Sequence, residues 1–215
     1  MKTLVMSCLY PCFCEELAAR GYHILPTKSV DIFHRPERLH VDMQLLKIED
    51  RLFTLNDCLQ PLGRNYPDNV RLNCLYFGNR LYAKLSAADE SVLAFCRERK
   101  IGLINVRQGY TRCSTLVIAE NAAVITADKT IEKALRRSRA EVLLIEAGDI
   151  RLEGFSYGFI GGAGFADNGV TYFFGDITKH PDYGRIEAFC RKHHSKIETV
   201  CKKEPLTDIG GVVIL

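Results

Sequence analysis

The sequence contains no tryptophan and no apolar run that approaches the roughly 20 residues a membrane-spanning helix needs. No membrane span is therefore predicted. Basic residues outnumber acidic ones only slightly, 29 Lys and Arg against 26 Asp and Glu, for a formal net charge of +3. Because the two signs are interspersed along the chain, the charge pattern does not favour a nucleic-acid partner.

Motifs for metals and phosphate groups are also missing. The cysteines at positions 8, 12 and 14 have no second pair of ligands at zinc-finger spacing. The glycine-rich stretch FIGGAGFADNG lacks the lysine of a P-loop and the G-x-G-x-x-G spacing of a dinucleotide fold. We therefore expect neither a metal site nor a cofactor.

Cysteine is abundant, with nine residues, an odd number without paired spacings. The opening stretch has an apolar run, but Pro11 interrupts it and no small-residue cleavage pattern appears, so no secretory signal is expected. Both observations favour reduced cysteines in a cytoplasmic protein. With 47% apolar and 26% charged residues, the chain is predicted to form one globular domain over residues 1–215.

One pattern recurs along the chain: a short apolar run, a turn with Asp or Asn, and a second apolar run. It occurs in DMQLLKIEDRLFTL, RLNCLYFGNRLYAK, CSTLVIAENAAVIT and IGGAGFADNGVTYF. The turn residues are Asp50, Asn79, Asn121 and Asn168. Asp and Asn tolerate the backbone conformations of tight turns, so each block predicts a β-hairpin.

Three of these hairpins are followed by a helical pattern and another apolar strand. The helical stretches are SAADESVLAFCRERK, ADKTIEKALRRSR and HPDYGRIEAFCRKHH. Ser86, Asp128 and Asp182 are positioned as their N-caps. The predicted unit is strand, strand, helix, strand.

Two further units are incomplete. The hairpin around Asp50 is followed by a loop rich in Pro, Gly and Asn instead of a helix. KTLVMS, PCFCEELAARG and YHILPT supply a strand, a helix and a last strand, and the C-terminal DIGGVVIL, which echoes FIGGAGFA, supplies the missing first strand. A ring of five units, closed by pairing of the two terminal strands, would remove exposed sheet edges.

This pattern resembles the pentein, or α/β-propeller, fold of guanidino-group modifying enzymes, in which five such units surround a pseudo-fivefold axis. The blocks HVDMQ, GYTRCSTLVI, YGFIGGAG, GDITKHPD and PLTDIGG are similar to those of an uncharacterised bacterial family assigned to that fold. The resemblance implies an α/β architecture and an axial site. There a cysteine attacks a guanidinium carbon, a histidine moves protons and carboxylates pair with the cation.

The resemblance implies roles for individual residues. His40 and Asp42, in the His-x-Asp block, correspond to the proton shuttle and a substrate-gripping carboxylate. In a strand, positions two apart face the same side, so His40, Asp42 and Gln44 are expected to face one cavity. Their alternative interpretation is a satisfied polar cluster at a sheet end. Counting back eight residues from the turns aligns Asp42 with Cys113, the candidate nucleophile, and also reaches Arg71 and Ile160.

Four more residues are placed near the axis as substrate-binding candidates: Asp208, Asn73, Ser114 and Gly162. Glycines such as Gly162 allow close approach of backbone to a ligand, or else tight packing where the strands converge. Cys113 has its own alternative interpretation as a small core residue.

The sequence departs from the pentein enzymes at one point, because their nucleophilic cysteine lies near the C-terminus, where this chain has LTDIGGVVIL. Two hypotheses therefore stay open. In the first, the protein binds or hydrolyses a guanidino or amidine compound with Cys113, His40 and Asp42. In the second, it is a non-catalytic pentein that contacts another protein or the ribosome. The sequence leaves the oligomeric state open.

Overall fold

The computed structural model describes all residues 1–215 and contains fourteen strands in five separate sheets. The helices are α1 (Pro11–Ala19), α2 (Val41–Gln44), α3 (Glu90–Glu98), α4 (Lys129–Arg137) and α5 (Tyr183–Lys192). The strands are β1 (Thr3–Met6), β2 (His23–Pro26), β3 (Leu45–Ile48), β4 (Arg51–Thr54), β5 (Leu75–Phe77), β6 (Arg80–Ala83), β7 (Gly102–Asn105), β8 (Thr115–Ala119), β9 (Ala123–Thr126), β10 (Glu141–Leu144), β11 (Gly164–Asp167), β12 (Val170–Asp176), β13 (Lys196–Pro205) and β14 (Val212–Ile214).

Three sheets repeat one topology, β5-β6-β7, β8-β9-β10 and β11-β12-β13. In each, the first two strands form an antiparallel hairpin, and the third strand pairs parallel to the second after a crossover helix. A parallel neighbour needs such a crossover, which α3, α4 and α5 provide. The predicted strand, strand, helix, strand unit is confirmed.

A fourth sheet joins the two ends of the chain. Strand β14 pairs antiparallel with β1, with Leu4 opposite Ile214, and β1 pairs parallel with β2 after α1. The C-terminal strand therefore completes the unit that begins at the N-terminus, as predicted. The fifth sheet is the hairpin β3-β4 alone, and a loop without an α-helix leads from it to β5, also as predicted.

The hairpin turns follow the sequence prediction at three positions and differ at one. Asn79, Asn121 and Asn168 have positive φ values of 55°, 59° and 49°. This left-handed region is one that Asn tolerates well. In the first hairpin, the residue with positive φ is Glu49, at 53°, and not the predicted Asp50.

Helix starts also differ from the prediction at one position. The carboxylate of Asp128 accepts hydrogen bonds from the backbone N–H groups of Thr130 and Ile131, at 2.7 and 2.9 Å, and so caps α4. Asp182 is the N-cap of α5, although its side chain makes no capping bond. Ser86 caps nothing, because α3 begins later and Asp89 is its N-cap.

Apolar cores lie between the sheets and the helices α1, α3, α4 and α5. Ile186 and Cys190 of α5 pack with Phe173 of β12, while Val92 and Cys96 of α3 form part of the core around β6. Several cysteines thus serve as small core residues. The expectation that every cysteine is reduced was wrong, because Cys8 and Cys14 form a disulfide across the start of α1. None of the five helices combines the length and apolar character needed to cross a membrane.

Candidate functional site

Residues at equivalent points of the five units meet at one place. Each lies two to four residues before the first strand of its unit: Asp42 before β3, Asn73 before β5, Cys113 before β8, Gly162 before β11 and Asp208 before β14. All four side-chain-bearing members of this set are at most 3% exposed. The fold therefore brings residues that are distant along the chain to one buried centre.

Cys113 lies at the end of a helical turn, in which the N–H of Ser114 donates to the carbonyl of Tyr110 at 2.9 Å. Its thiol donates to Oδ2 of Asp42 at 2.7 Å, across 71 residues of sequence. The other carboxylate oxygen of Asp42, Oδ1, is buried and has no hydrogen-bond partner. A buried carboxyl oxygen without a partner is unfavourable in the free protein.

Asn73 holds Cys113 in place from both ends of its amide. Its Oδ1 accepts from the backbone N–H groups of Arg112, at 2.9 Å, and Cys113, at 3.2 Å. Its Nδ2 lies 3.0 Å from Sγ of Cys113. Since the amide has no freedom left to rotate, Asn73 positions the thiol and does not face the cavity as a ligand group.

The His-x-Asp block is not a strand, so the expected alternation is wrong. Residues 41–44 form the short helix α2, with His40 as its extended N-cap. His40 faces the cavity. Asp42 lies behind Cys113, and the amide of Gln44 points elsewhere, donating to the carbonyls of Lys28 and Arg38 at 2.9 and 2.7 Å. Gln44 therefore anchors the preceding loop.

Asp208 is held by backbone groups. Its Oδ2 accepts from the N–H of Phe159 at 2.8 Å and its Oδ1 from the N–H of Gly210 at 2.9 Å. Oδ1 also lies 4.0 Å from Nδ1 of His40. A Cβ on Gly162 would overlap this carboxylate, so the absence of a side chain there makes room for Asp208. Gly162 thus serves close packing, the second of its two interpretations.

These groups border a cavity of about 240 Å³. Its polar lining consists of the Cys113 thiol, the His40 ring, the carboxylates of Asp208 and Glu37, and Ser156. The remaining lining is mostly aromatic or aliphatic: Met43, Tyr110, Leu152, Phe155, Tyr157 and Phe159. Cys113 therefore lies at a cavity and not in the core between a sheet and a helix.

The cavity is also lined by Glu37, Tyr110 and residues of the segment 152–159, which were not predicted as site residues. The hydroxyl of Tyr110 donates to Oε1 of Glu37 at 2.8 Å and accepts from Nδ2 of Asn69 at 2.7 Å. The ring of Tyr110 stacks on Phe159, with centroids 5.9 Å apart. The one available signal was the aromatic-rich stretch LEGFSYGF, which lies outside the repeating hairpins.

Arg71 and Ile160, which the count of eight residues from the turns also reached, lie away from the cavity. Arg71 donates to Oδ1 of Asp68 at 2.7 Å and to the Ala87 carbonyl at 3.2 Å, while Ile160 is part of the core below β8. Ser114 borders a smaller, adjoining cavity of about 90 Å³, where its buried hydroxyl has no partner. The count of eight residues failed because the number of residues between the site residue and the hairpin turn differs between units. In the second unit the site residue is Asn73 and not Arg71.

Burial dominates the protonation of the thiol and its partner. It raises the pKa of the Cys113 thiol well above its ordinary value, and the nearby carboxylates of Asp42 and Asp208 raise it further. Burial likewise raises the pKa of Asp42 to about 8, with a further contribution from the charge of Asp208. Both groups are therefore protonated at neutral pH in the free protein.

Burial also dominates the pKa values of His40 and Asp208. Burial lowers the pKa of His40, although the charges of Asp208 and Glu37 oppose the shift. Burial raises the pKa of Asp208, while His40 and the two backbone N–H donors oppose it. His40 is therefore a neutral imidazole, able to accept a proton. Burial thus favours the neutral form of His40 and of Asp42 in the free protein.

Two solved structures of dimethylarginine dimethylaminohydrolase are similar to this chain. A variant with histidine replaced by glycine, in an adduct with S-methyl-L-thiocitrulline, has a TM-score of 0.55 at 11% identity and covers 93% of this chain and 92% of that one. A cysteine-to-serine mutant from Pseudomonas aeruginosa, complexed with citrulline, has a TM-score of 0.55 at 11% identity and covers 98% and 96%. At this identity the likeness shows the fold alone, which is the mixed α/β pentein fold.

Within that fold class, residues 51–213 match the family of unknown function DUF6873. The chain therefore belongs to this family. No curated protein matches the sequence.

Proposed function

We propose that the protein is a cysteine hydrolase or transferase that binds a guanidino or amidine compound in the cavity beside Cys113. One observation supports this above all: a thiol, a neutral histidine and buried carboxyl groups converge on one cavity. These are the three types of group that attack on an amidino carbon requires.

The ligand is inferred to be cationic because of what surrounds the cavity. Asp208 and Glu37 line it, Asp42 lies directly behind the thiol, and the free Oδ1 of Asp42 lacks a donor. The rings of Tyr110 and Phe159 add aromatic surface to the lining. A planar cation with several N–H groups would satisfy the carboxylates in pairs and would lower the pKa of Asp42 and Cys113.

The same cation prepares the thiol for attack. Once bound, it favours the ionised forms, so Asp42 loses its own proton to solvent. The Cys113 proton then passes to the Asp42 carboxylate as the thiolate sulfur bonds to the amidino carbon. Asp42 then protonates the departing nitrogen as its bond to carbon breaks, which leaves an amidino group on the sulfur. Water attacks next, with its proton passing to His40 and then to the sulfur as the carbon–sulfur bond breaks. A ureido product leaves, and its excess proton goes to solvent.

We further infer that the five sheets surround a pseudo-fivefold axis and that the cavity lies on it. The matching positions of Asp42, Asn73, Cys113, Gly162 and Asp208, each before the first strand of its unit, support this arrangement. The pairing of β14 with β1 supports closure of the ring.

Competing alkylation tests the proposal. The protein is treated in parallel with 2-chloroacetamidine, which is cationic, and with chloroacetamide, its neutral analogue, and each cysteine is followed by peptide mass spectrometry. We expect Cys113 to prefer the amidine by at least tenfold more than Cys58 does, because the carboxylates recruit the cation. Cys58 is partly exposed and not part of the cavity lining, so it serves as the reference thiol outside the cavity. The carboxylate of Asp89 lies beside Cys58, so any preference of Cys58 for the cation makes the comparison stricter.

Asp208→Asn provides the second arm. This variant keeps the size of the side chain and removes its charge, so it should reduce the amidine preference of Cys113 without affecting Cys58. An equal preference at Cys113 and Cys58 in the unmodified protein would refute a cation-binding thiol site and would favour the non-catalytic hypothesis.

A further inference from the structure

One side of the cavity is an apolar wall formed by Leu152, Phe155, Tyr157 and Phe159. All four belong to the segment between β10 and β11, which forms no helix or strand. Phe155 and Tyr157 are 46% and 44% exposed, so two large apolar side chains remain open to solvent beside a cavity with buried carboxyl groups. Exposed apolar surface of this kind at a cavity is typical of a surface that a ligand covers.

The carboxyl groups of the cavity, Asp208 and Glu37, belong to other segments than this wall, and they suit a cation. Asp208 and Glu37 would repel a carboxylate on the ligand. The hydroxyl of Tyr110 is already shared between Glu37 and Asn69. The guanidinium of Arg112, next to the thiol in sequence, donates to the carbonyl of Val212 at 3.1 Å. A substituent on the cationic group therefore meets apolar and anionic surroundings.

Given the proposed function, on which this inference rests, we infer that the substrate is a guanidine or amidine with an uncharged, aromatic or branched aliphatic substituent, and not a guanidino amino acid. The cationic group pairs with the carboxylates beside Cys113. The substituent lies against Phe155 and Tyr157 and removes them from water. The apolar wall is thus the surface that determines specificity.

Calorimetric titration of three probes tests this inference: methylguanidine, benzylguanidine and L-arginine, at one pH and ionic strength. We expect benzylguanidine to bind at least about tenfold more tightly than methylguanidine, because its ring is buried against the wall. We expect L-arginine to bind no more tightly than methylguanidine, because its ammonium and carboxylate groups would lose water against the apolar wall without gaining a partner there.

Variants link the preference to the wall. Phe155→Ala should lower the affinity for benzylguanidine by about tenfold. The control Leu59→Ala removes a side chain that is 72% exposed and not part of the cavity, and it should change nothing.

The outcomes separate the two proposals. Binding of L-arginine more tightly than benzylguanidine would overturn the apolar substituent while leaving the guanidine site intact. No binding of any probe, together with no amidine preference at Cys113, would overturn the proposed function itself. Tight binding of benzylguanidine that Phe155→Ala leaves unchanged would show that another surface holds the ring.

Discussion

At the scale of single residues, burial makes Asp42 destabilising at neutral pH. Its pKa rises from 3.8 to about 8, so between these values the folded protein holds a proton that the unfolded chain has lost. The free energy of unfolding therefore falls as the pH rises through this window. The proposed ligand would offset this cost by supplying a positive charge.

Asp42→Asn should reverse the effect. We expect the variant to gain at least about 2 kcal/mol more stability, relative to the unmodified protein, at pH 8.5 than at pH 5. Urea denaturation at the two pH values measures the difference.

Asp57→Asn is the matched control. Hydrogen bonds from the backbone and hydroxyl of Thr54 lower the pKa of Asp57, so its contribution to stability is lost only in more acidic solution. Its effect should therefore be the same at pH 5 and pH 8.5. A change in stability for Asp42→Asn that does not depend on pH would contradict the burial argument.

Some site residues could be recognised from the sequence and others could not. These recognisable residues have chemically distinctive side chains and lie in short sequence blocks: His40, Asp42, Cys113 and Asp208. Glu37 and Tyr110 gave no such signal, because their importance depends on contacts with residues as distant as Asn69 and Phe159. Long-range contacts of this kind follow from the fold and not from local patterns.

At the scale of elements, capping by Asp128 should account for measurable stability of α4. Asp128→Ala removes the acceptor for two backbone N–H groups, and we expect a loss of about 1 kcal/mol. Thermal or urea unfolding measures it.

Ser86→Ala is the corresponding control for α3, since Ser86 is exposed and Asp89 is the actual cap. It should change stability by much less than Asp128→Ala. Equal losses in the two variants would mean that the capping bonds of Asp128 do not stabilise the helix.

Helix α2 illustrates why local patterns failed at the site. The sequence HVDMQ alternates in the way typical of a strand. Tertiary contacts impose a helical turn instead: the N–H of Asp42 donates to the carbonyl of Gly210 at 3.3 Å, and Met43 packs beside Phe33 and Val70. The hairpins, in contrast, were predictable because their turn residues and apolar runs are local.

At the scale of the whole molecule, the pairing of β14 with β1 joins the ends of the chain and supports the site. Val213 of β14 packs with Val5 and Val41, at the base of α2. Deleting residues 212–215 should therefore lower the melting temperature by several degrees or more and weaken amidine labelling of Cys113. Deleting Leu215 alone, which is 48% exposed, should have little effect on either measurement.

This terminal pairing could be predicted because DIGGVVIL echoes an internal block. The repeat did not predict the position of each site residue within its unit, because the number of residues between the site residue and the hairpin turn differs between units. A truncated protein that keeps both its melting temperature and its labelling would separate the site from the closure of the chain.

The crystal structure of the protein after reaction with 2-chloroacetamidine tests the central claim most directly. We predict one amidine bonded to Sγ of Cys113, with its nitrogens within hydrogen-bond distance of the carboxylates of Asp42 or Asp208 and its plane near the ring of Phe159. An amidine attached only to other cysteines, or one on Cys113 that turns away from both carboxylates, would contradict the account.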